Sequence, residues 1–182
     1  MEFSELLVKR RSIREFEEQE VPLDVVREII NDSVKAPSGG HAQPWSFIVV
    51  QNRKMIKRIS DDSTRSMLAT MEQDSASQML NMEDINVFFN APCLVIIAGP
   101  IDWPTIVEDC ALAAAYFMLA ATARGLGTCW VAMGAYVSDP NLLDELGLTK
   151  GQKIYAPIIL GYPMEIPPMP ERKAPEIIKV IS

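Results

Sequence analysis

Histidine occurs once in the chain, at His41, so a multi-histidine metal centre is excluded and a His-dependent catalytic triad would have to use that residue. A glycine-rich stretch holds it near no obvious nucleophile. Cysteine occurs three times, at Cys93, Cys110 and Cys129, each in apolar surroundings and without metal-ligand spacing. An odd count argues against a disulfide framework and fits a reducing compartment. Basic residues are in deficit, 17 against 24 acidic ones, for a net charge of −7. No broad basic face is available, so nucleic acid is not an expected partner. Neither common nucleotide fingerprint is present, and no Gly-x-Ser-x-Gly elbow appears. Gly125-Leu126-Gly127 falls at a helix end, the wrong place for a dinucleotide loop. No pair of catalytic carboxylates stands out. Met1 to Glu5 is acidic where a secretory signal would be basic, and no apolar run follows. The longest apolar run, Cys110 to Ala121, is shorter than the about 20 residues of a bilayer span. A cytoplasmic protein with no membrane partner is expected.

What is present begins with Lys9-Arg10-Arg11-Ser12-Ile13-Arg14, a basic knot in an acidic chain. Guanidinium forks grip phosphate with paired hydrogen bonds, and Ser12 adds a hydroxyl. A solvated helix end is the other reading, since Met1 to Val8 looks like a short amphipathic helix and cations favour a last turn. Composition is that of an ordinary globular protein, with 48% hydrophobic and 23% charged residues. One domain, 1–182, has enough chain for a full core.

Pro22 opens a helix with Val26, Ile29, Ile30 and Val34 at helical spacing, ended before Pro37. Pro37-Ser38-Gly39-Gly40-His41-Ala42-Gln43-Pro44-Trp45 reads as irregular, fixed backbone. It is either a plain connection or a place where small residues admit a flat ligand. Trp45 to Val50 reads as a central strand because both its faces are apolar. A helix is predicted over Arg53 to Ser60. A polar, Met-rich stretch with Met67, Met71, Met79 and Met82 then suits either a lid or ordinary helices. Cys93 to Gly99 is a buried strand. The helix from about Val107 to Arg124 is apolar all round and so must be covered all round, with a partner subunit on its far side. Gly125 to Gly134 is a helix stop running into a strand and a Gly turn, Ser138-Asp139-Pro140 starts a helix ending at Gly147, and Ile154 to Gly161 is the last strand. A stiff Pro-rich arm then carries Arg172-Lys173. Helices that precede and separate four strands give an α+β or α/β layout. Two phosphate-gripping clusters without acid–base groups suggest that a bound cofactor supplies the chemistry.

Taken together, Arg10-Arg11-Ser12-Ile13-Arg14, Ala36 to Trp45, Gly125 to Gly134 and Arg172-Lys173 resemble the nitroreductase family of flavoproteins. The resemblance covers nearly the whole chain. It implies an α+β three-layer fold, with a mostly antiparallel sheet of about four to five strands flanked by helices and a long apolar helix at a homodimer interface. It implies FMN at that interface, with NADH or NADPH as donor and nitroaromatics, quinones or similar acceptors reduced in ping-pong fashion. Arg10, Ser12 and Arg14 would hold the phosphate and ribityl chain, joined by Arg172 or Lys173, with Arg11 adding charge nearby. Pro37, Ser38, Gly39 and His41 would come from the other subunit to border the ring. Trp130, Val131, Ala132 and Met133 would line its opposite side, with a backbone N–H near N5. The family's usual Asn is His41 here, and its commoner acidic residue near N5 is absent from Trp130 to Gly134. The 61–90 region would shape the substrate pocket. No side chain is expected as an essential acid or base. A flavin carrier or sensor without turnover, and an FMN-free module binding acidic partners, are the rival readings.

Overall fold

The computed structural model describes residues 2–71 and 86–181. The expected lid around Met79 and Met82 lies outside the described residues.

Four strands form one antiparallel sheet: β1 (Ser46–Val50), β2 (Cys93–Pro100), β3 (Gly127–Trp130) and β4 (Gln152–Gly161), in the order β1-β2-β4-β3. The two inner strands carry the most continuous apolar runs, and Cys93 to Ala98 are fully buried. Both faces of the sheet are covered, as such runs require. On one face lie α2 (Leu23–Ser33) and α4 (Ile106–Ala123). There Val26, Ile29, Ala113, Ala114 and Phe117 pack on Val95, Ile97 and Ile158. On the other face, α3 (Arg53–Leu68) and α5 (Pro140–Glu145) bring Ile56, Ile59 and Leu142 against Leu94, Ile96 and Ile159. The result is the expected three-layer α+β fold.

Two expectations are corrected. β1 is an edge strand, not a central one. Its apolar residues alternate between the two helical layers, Phe47 and Val49 toward one and Ile48 and Val50 toward the other. They cover helices rather than answer two strand neighbours. Second, α3 runs to Leu68, past Ser60. Its buried stripe continues through small hydroxyls that hide their burial in the sequence. Ser60 Oγ accepts from Val87 N–H at 3.0 Å, and Ser63 Oγ donates to the Gly134 carbonyl at 3.4 Å. As the all-round apolar helix implied, α4 is covered on one side only within the chain. Cys110, Ala113, Ala114, Phe117 and Ala121 are buried, whereas Val107, Leu112 and Tyr116 are exposed. The 18-residue helix is long and apolar enough by composition to cross a bilayer, but its buried side is the main contact of the α2–sheet layer. α1 (Phe3–Lys9) lies against α4 and buries none of its own residues, leaving Phe3, Leu7 and Val8 exposed.

All three cysteines are buried free thiols. Burial pushes Cys93 and Cys110 from 9.0 up to about 12, the charge of Asp109 adding to burial at Cys110. Between pH 9 and 12 the folded chain therefore holds protons that the unfolded chain has lost, and stability falls as pH rises through that window. Cys93 and Cys110 are expected to resist iodoacetamide at pH 8 in the native protein and to react once urea unfolds it. Labelling at equal rates in both states would refute this.

Candidate functional site

The basic segment leaves α1 in extended conformation and docks on the sheet's far edge. Ser12 forms a parallel bridge with Thr128 of β3, and Ile13 N–H donates to the Thr128 carbonyl at 2.9 Å. Further along, Glu17 N–H donates to the Tyr162 carbonyl and Met164 N–H to that of Glu15. Ile13, buried at 4% exposure, is the anchor. It fits because residue 127 is glycine: a Cβ there would lie 2.7 Å from Ile13 Cγ1.

Alternation along this extended segment sends neighbouring side chains to opposite sides. Ser12, Arg14 and Glu15 border one cavity of about 330 Å³ with Ile13, Glu165 and Pro167. Arg11 lines another of about 260 Å³ with Lys9, Thr122, Gly125 and Leu126, at the C-terminal end of α4. Larger grooves of about 540 and 600 Å³ lie along β1 and beside α3, and contain none of the expected site residues.

The Arg10 guanidinium is held below its ordinary pKa, first by partial burial, then by the charges of Arg11 and Arg172, with Cys129 opposing them. The two cationic clusters, from opposite ends of the chain, thus share one electrostatic neighbourhood. Several cations elsewhere pair with carboxylates: Arg58 with Glu145, Arg65 with Asp62, and Arg124 with Glu28 and Asp32. Among the described residues Arg10, Arg11, Arg14, Arg172 and Lys173 have no such partner. Arg11 is 7% exposed, and its Nη2 is buried without a hydrogen bond, as is Thr128 Oγ1. Arg14 lies over the Phe89 ring, 5.7 Å from its centroid. Uncompensated buried guanidinium is costly, so this cluster is suited to an anion.

Beyond β3, Val131 N–H donates to the Pro157 carbonyl at 2.9 Å and the chain turns into a short 3₁₀ helix, Ala132–Ala135. The strand expected within Gly125 to Gly134 therefore ends at Trp130. Trp130 and Met133 are half-buried, Val131 buried and Ala132 exposed.

The Pro37 to Trp45 stretch is a fixed turn. Gly39–His41 is a 3₁₀ turn, Gln43 N–H donates to Ser38 Oγ at 3.0 Å, and the Gln43 amide contacts His41 Nε2 at 3.0 Å. His41 and Gln43 adopt φ of 57° and 49°, a region side-chain-bearing residues seldom occupy. Gly39 is tied to the first turn of α4 by a bond from its N–H to Asp109 Oδ1 at 2.8 Å.

Within one chain the expected residues thus form two groups. Arg11 and Ile13 lie beside Thr122, Gly125 and Leu126 at the end of α4, with Arg10 close enough to Arg11 and Arg172 to feel their charge, whereas Gly39 is tied to the helix start. From Asp109 to Thr122 the helix spans about 20 Å at 1.5 Å per residue. The sequence reading missed Asp109. Its signal was an acidic residue directly before the apolar run, in register with the buried Ala113 and Phe117.

A nitroreductase of Bacteroides fragilis, solved with bound FMN, superposes with a TM-score of 0.85 at 27% identity, over 100% of this chain and 99% of that one. A protein of Archaeoglobus fulgidus, assigned by name to the NADH dehydrogenase/NAD(P)H nitroreductases, is 29% identical over 88% of this chain and 84% of its own. Human iodotyrosine deiodinase 1 is 26% identical over 94% of this chain, which spans 65% of that protein. The model of the nitroreductase family matches residues 7–162, and with the shared fold over the whole length it follows that the chain belongs to the nitroreductase family.

Proposed function

We propose that the protein is an FMN-dependent oxidoreductase that works as a homodimer, with each flavin held between two subunits. The observation that carries this is the separation of the two residue groups by the length of α4. One subunit contributes the phosphate grip and the Trp130 to Met133 side, and its partner the Pro37 to His41 turn. The exposed Val107, Leu112 and Tyr116 on α4, with Phe3, Leu7 and Val8 on α1, are an apolar face suited to that pairing.

The residues fit FMN. Arg10 and Arg172 are neighbouring unpaired cations for its phosphate, with Lys173 next in the chain, Ser12 and Arg14 border a cavity on the same segment, and Arg11 adds charge from behind the strand. Thr128 Oγ1, buried without a partner, lies on the strand that carries this cluster. When bound, FMN supplies hydride transfer between NAD(P)H and an electron-poor acceptor such as a nitroaromatic or quinone, donor and acceptor taking turns. Arg10 and Arg14 offset negative charge in the site. Ser38 and His41 offer hydrogen bonds to ring or ribityl oxygens, and the small residues of their turn admit a flat group.

The test is the absorbance spectrum of the purified protein, then anaerobic addition of NADH and of NADPH, then steady-state turnover with an added acceptor. Bleaching and turnover support the reading. A yellow protein that bleaches but never turns over is a carrier or sensor, and a colourless one that gains no melting temperature with FMN sinks the proposal.

A further inference from the structure

Asp109 is 2% exposed at the start of α4. Its Oδ1 accepts from Gly39 N–H at 2.8 Å, while Oδ2 accepts from Trp103 Nε1 at 3.1 Å and from Thr105 Oγ1 at 2.8 Å. Its hydrogen-bond partners are these three donors. One binds the Pro37 to His41 turn and two bind the segment leading into α4, so the carboxylate is the link between them. The approach is close: a Cβ on Gly39 would lie 2.4 Å from Thr105 Oγ1. The turn itself is strained at two side-chain-bearing residues, with φ of 57° at His41 and 49° at Gln43. Such conformations persist where the surroundings over-determine them, and they collect at functional sites. Here the Asp109 carboxylate, on the helix whose other side is the exposed apolar face, holds Gly39 at the start of that strained stretch.

We infer that Asp109 is a positioning residue for the flavin-facing turn, acting through Gly39 to fix where Ser38 and His41 point. This rests on the FMN reading above. Asp109 reaches no flavin itself. An amide at this position accepts through one oxygen only and turns its NH₂ toward a donor, so Asp109→Asn breaks either the Gly39 bond or the Trp103–Thr105 pair.

The experiment titrates FMN into full-length apo-protein by flavin fluorescence and records the visible circular dichroism of bound FMN. It uses wild type, Asp109→Asn, Thr105→Val and Ser33→Ala. Ser33→Ala removes a buried bond to the Ala113 carbonyl of the same helix and is the purely structural control. Asp109→Asn is expected to weaken FMN binding at least tenfold and to alter the dichroism. Thr105→Val should move both in the same direction by about twofold to fivefold, and it stands in if Asp109→Asn does not fold. Ser33→Ala should lower melting temperature without changing either flavin readout. Wild-type affinity and dichroism in Asp109→Asn or Thr105→Val would overturn the inference while leaving the FMN reading intact. So would an equal loss in Ser33→Ala. Failure of wild type to take up FMN would overturn both.

Discussion

Replacing Arg10 by Ala is expected to raise the Kd for FMN about 10- to 100-fold, since a hydrogen bond to a charged group contributes about 1.5–3 kcal/mol and about 1.4 kcal/mol is tenfold. The same change should move the melting temperature of the apo-protein by no more than about 2 °C, the scale of a half-kcal/mol surface substitution in a chain of this size. The asymmetry follows from the electrostatics. Arg10 is partly buried among like charges, Arg11 and Arg172, which hold its pKa down. Without an anion it repels its neighbours, so its loss relieves the apo-protein as much as it costs. Arg58→Ala, which breaks an exposed pair with Glu145, should leave FMN affinity unchanged. Fluorescence titration beside differential scanning fluorimetry makes the comparison, and equal FMN affinity in the Arg10 variant would remove that residue from the site.

Phe117→Ala is expected to destabilise the protein by about 3–5 kcal/mol, through lost burial and the cavity left behind. Phe117 is fully buried where α4 meets the sheet. Its neighbours Ala113, Ala114 and Ala121 are small and cannot swing inward to fill the gap. One residue earlier on the same helix, Tyr116 is 41% exposed. Tyr116→Ala should cost the isolated fold little and instead weaken subunit association. Urea denaturation with sedimentation of both variants separates the two sides of the helix. A Phe117→Ala loss under about 1 kcal/mol would contradict the packing described.

Most of the layout was legible because it rests on local signals. Runs such as Cys93 to Gly99 name buried strands, and Asp139-Pro140 names a helix start, confirmed by the Asp139 carboxylate accepting from Asn141 N–H. What could not be read was long-range. An apolar strand does not say whether strands or helices cover it, hence the misplacing of β1 at the sheet centre. Ser60 and Ser63 look solvent-facing until Val87 and Gly134 are seen opposite them. The cationic clusters were visible as charge, but their meeting depends on Ser12 pairing with Thr128, far along the chain. Asp109 escaped for the same reason, since one of its partners is the distant backbone N–H of Gly39.

The docking of Ser12 to Glu17 onto β3 and the start of the arm has a kinetic corollary. A segment whose main chain is already hydrogen-bonded on one side loses little freedom when a ligand arrives, and only side-chain rotamers remain to be frozen. Capture of a phosphate there should run near the encounter-limited rate, slowed by salt and hardly by viscosity-independent folding steps.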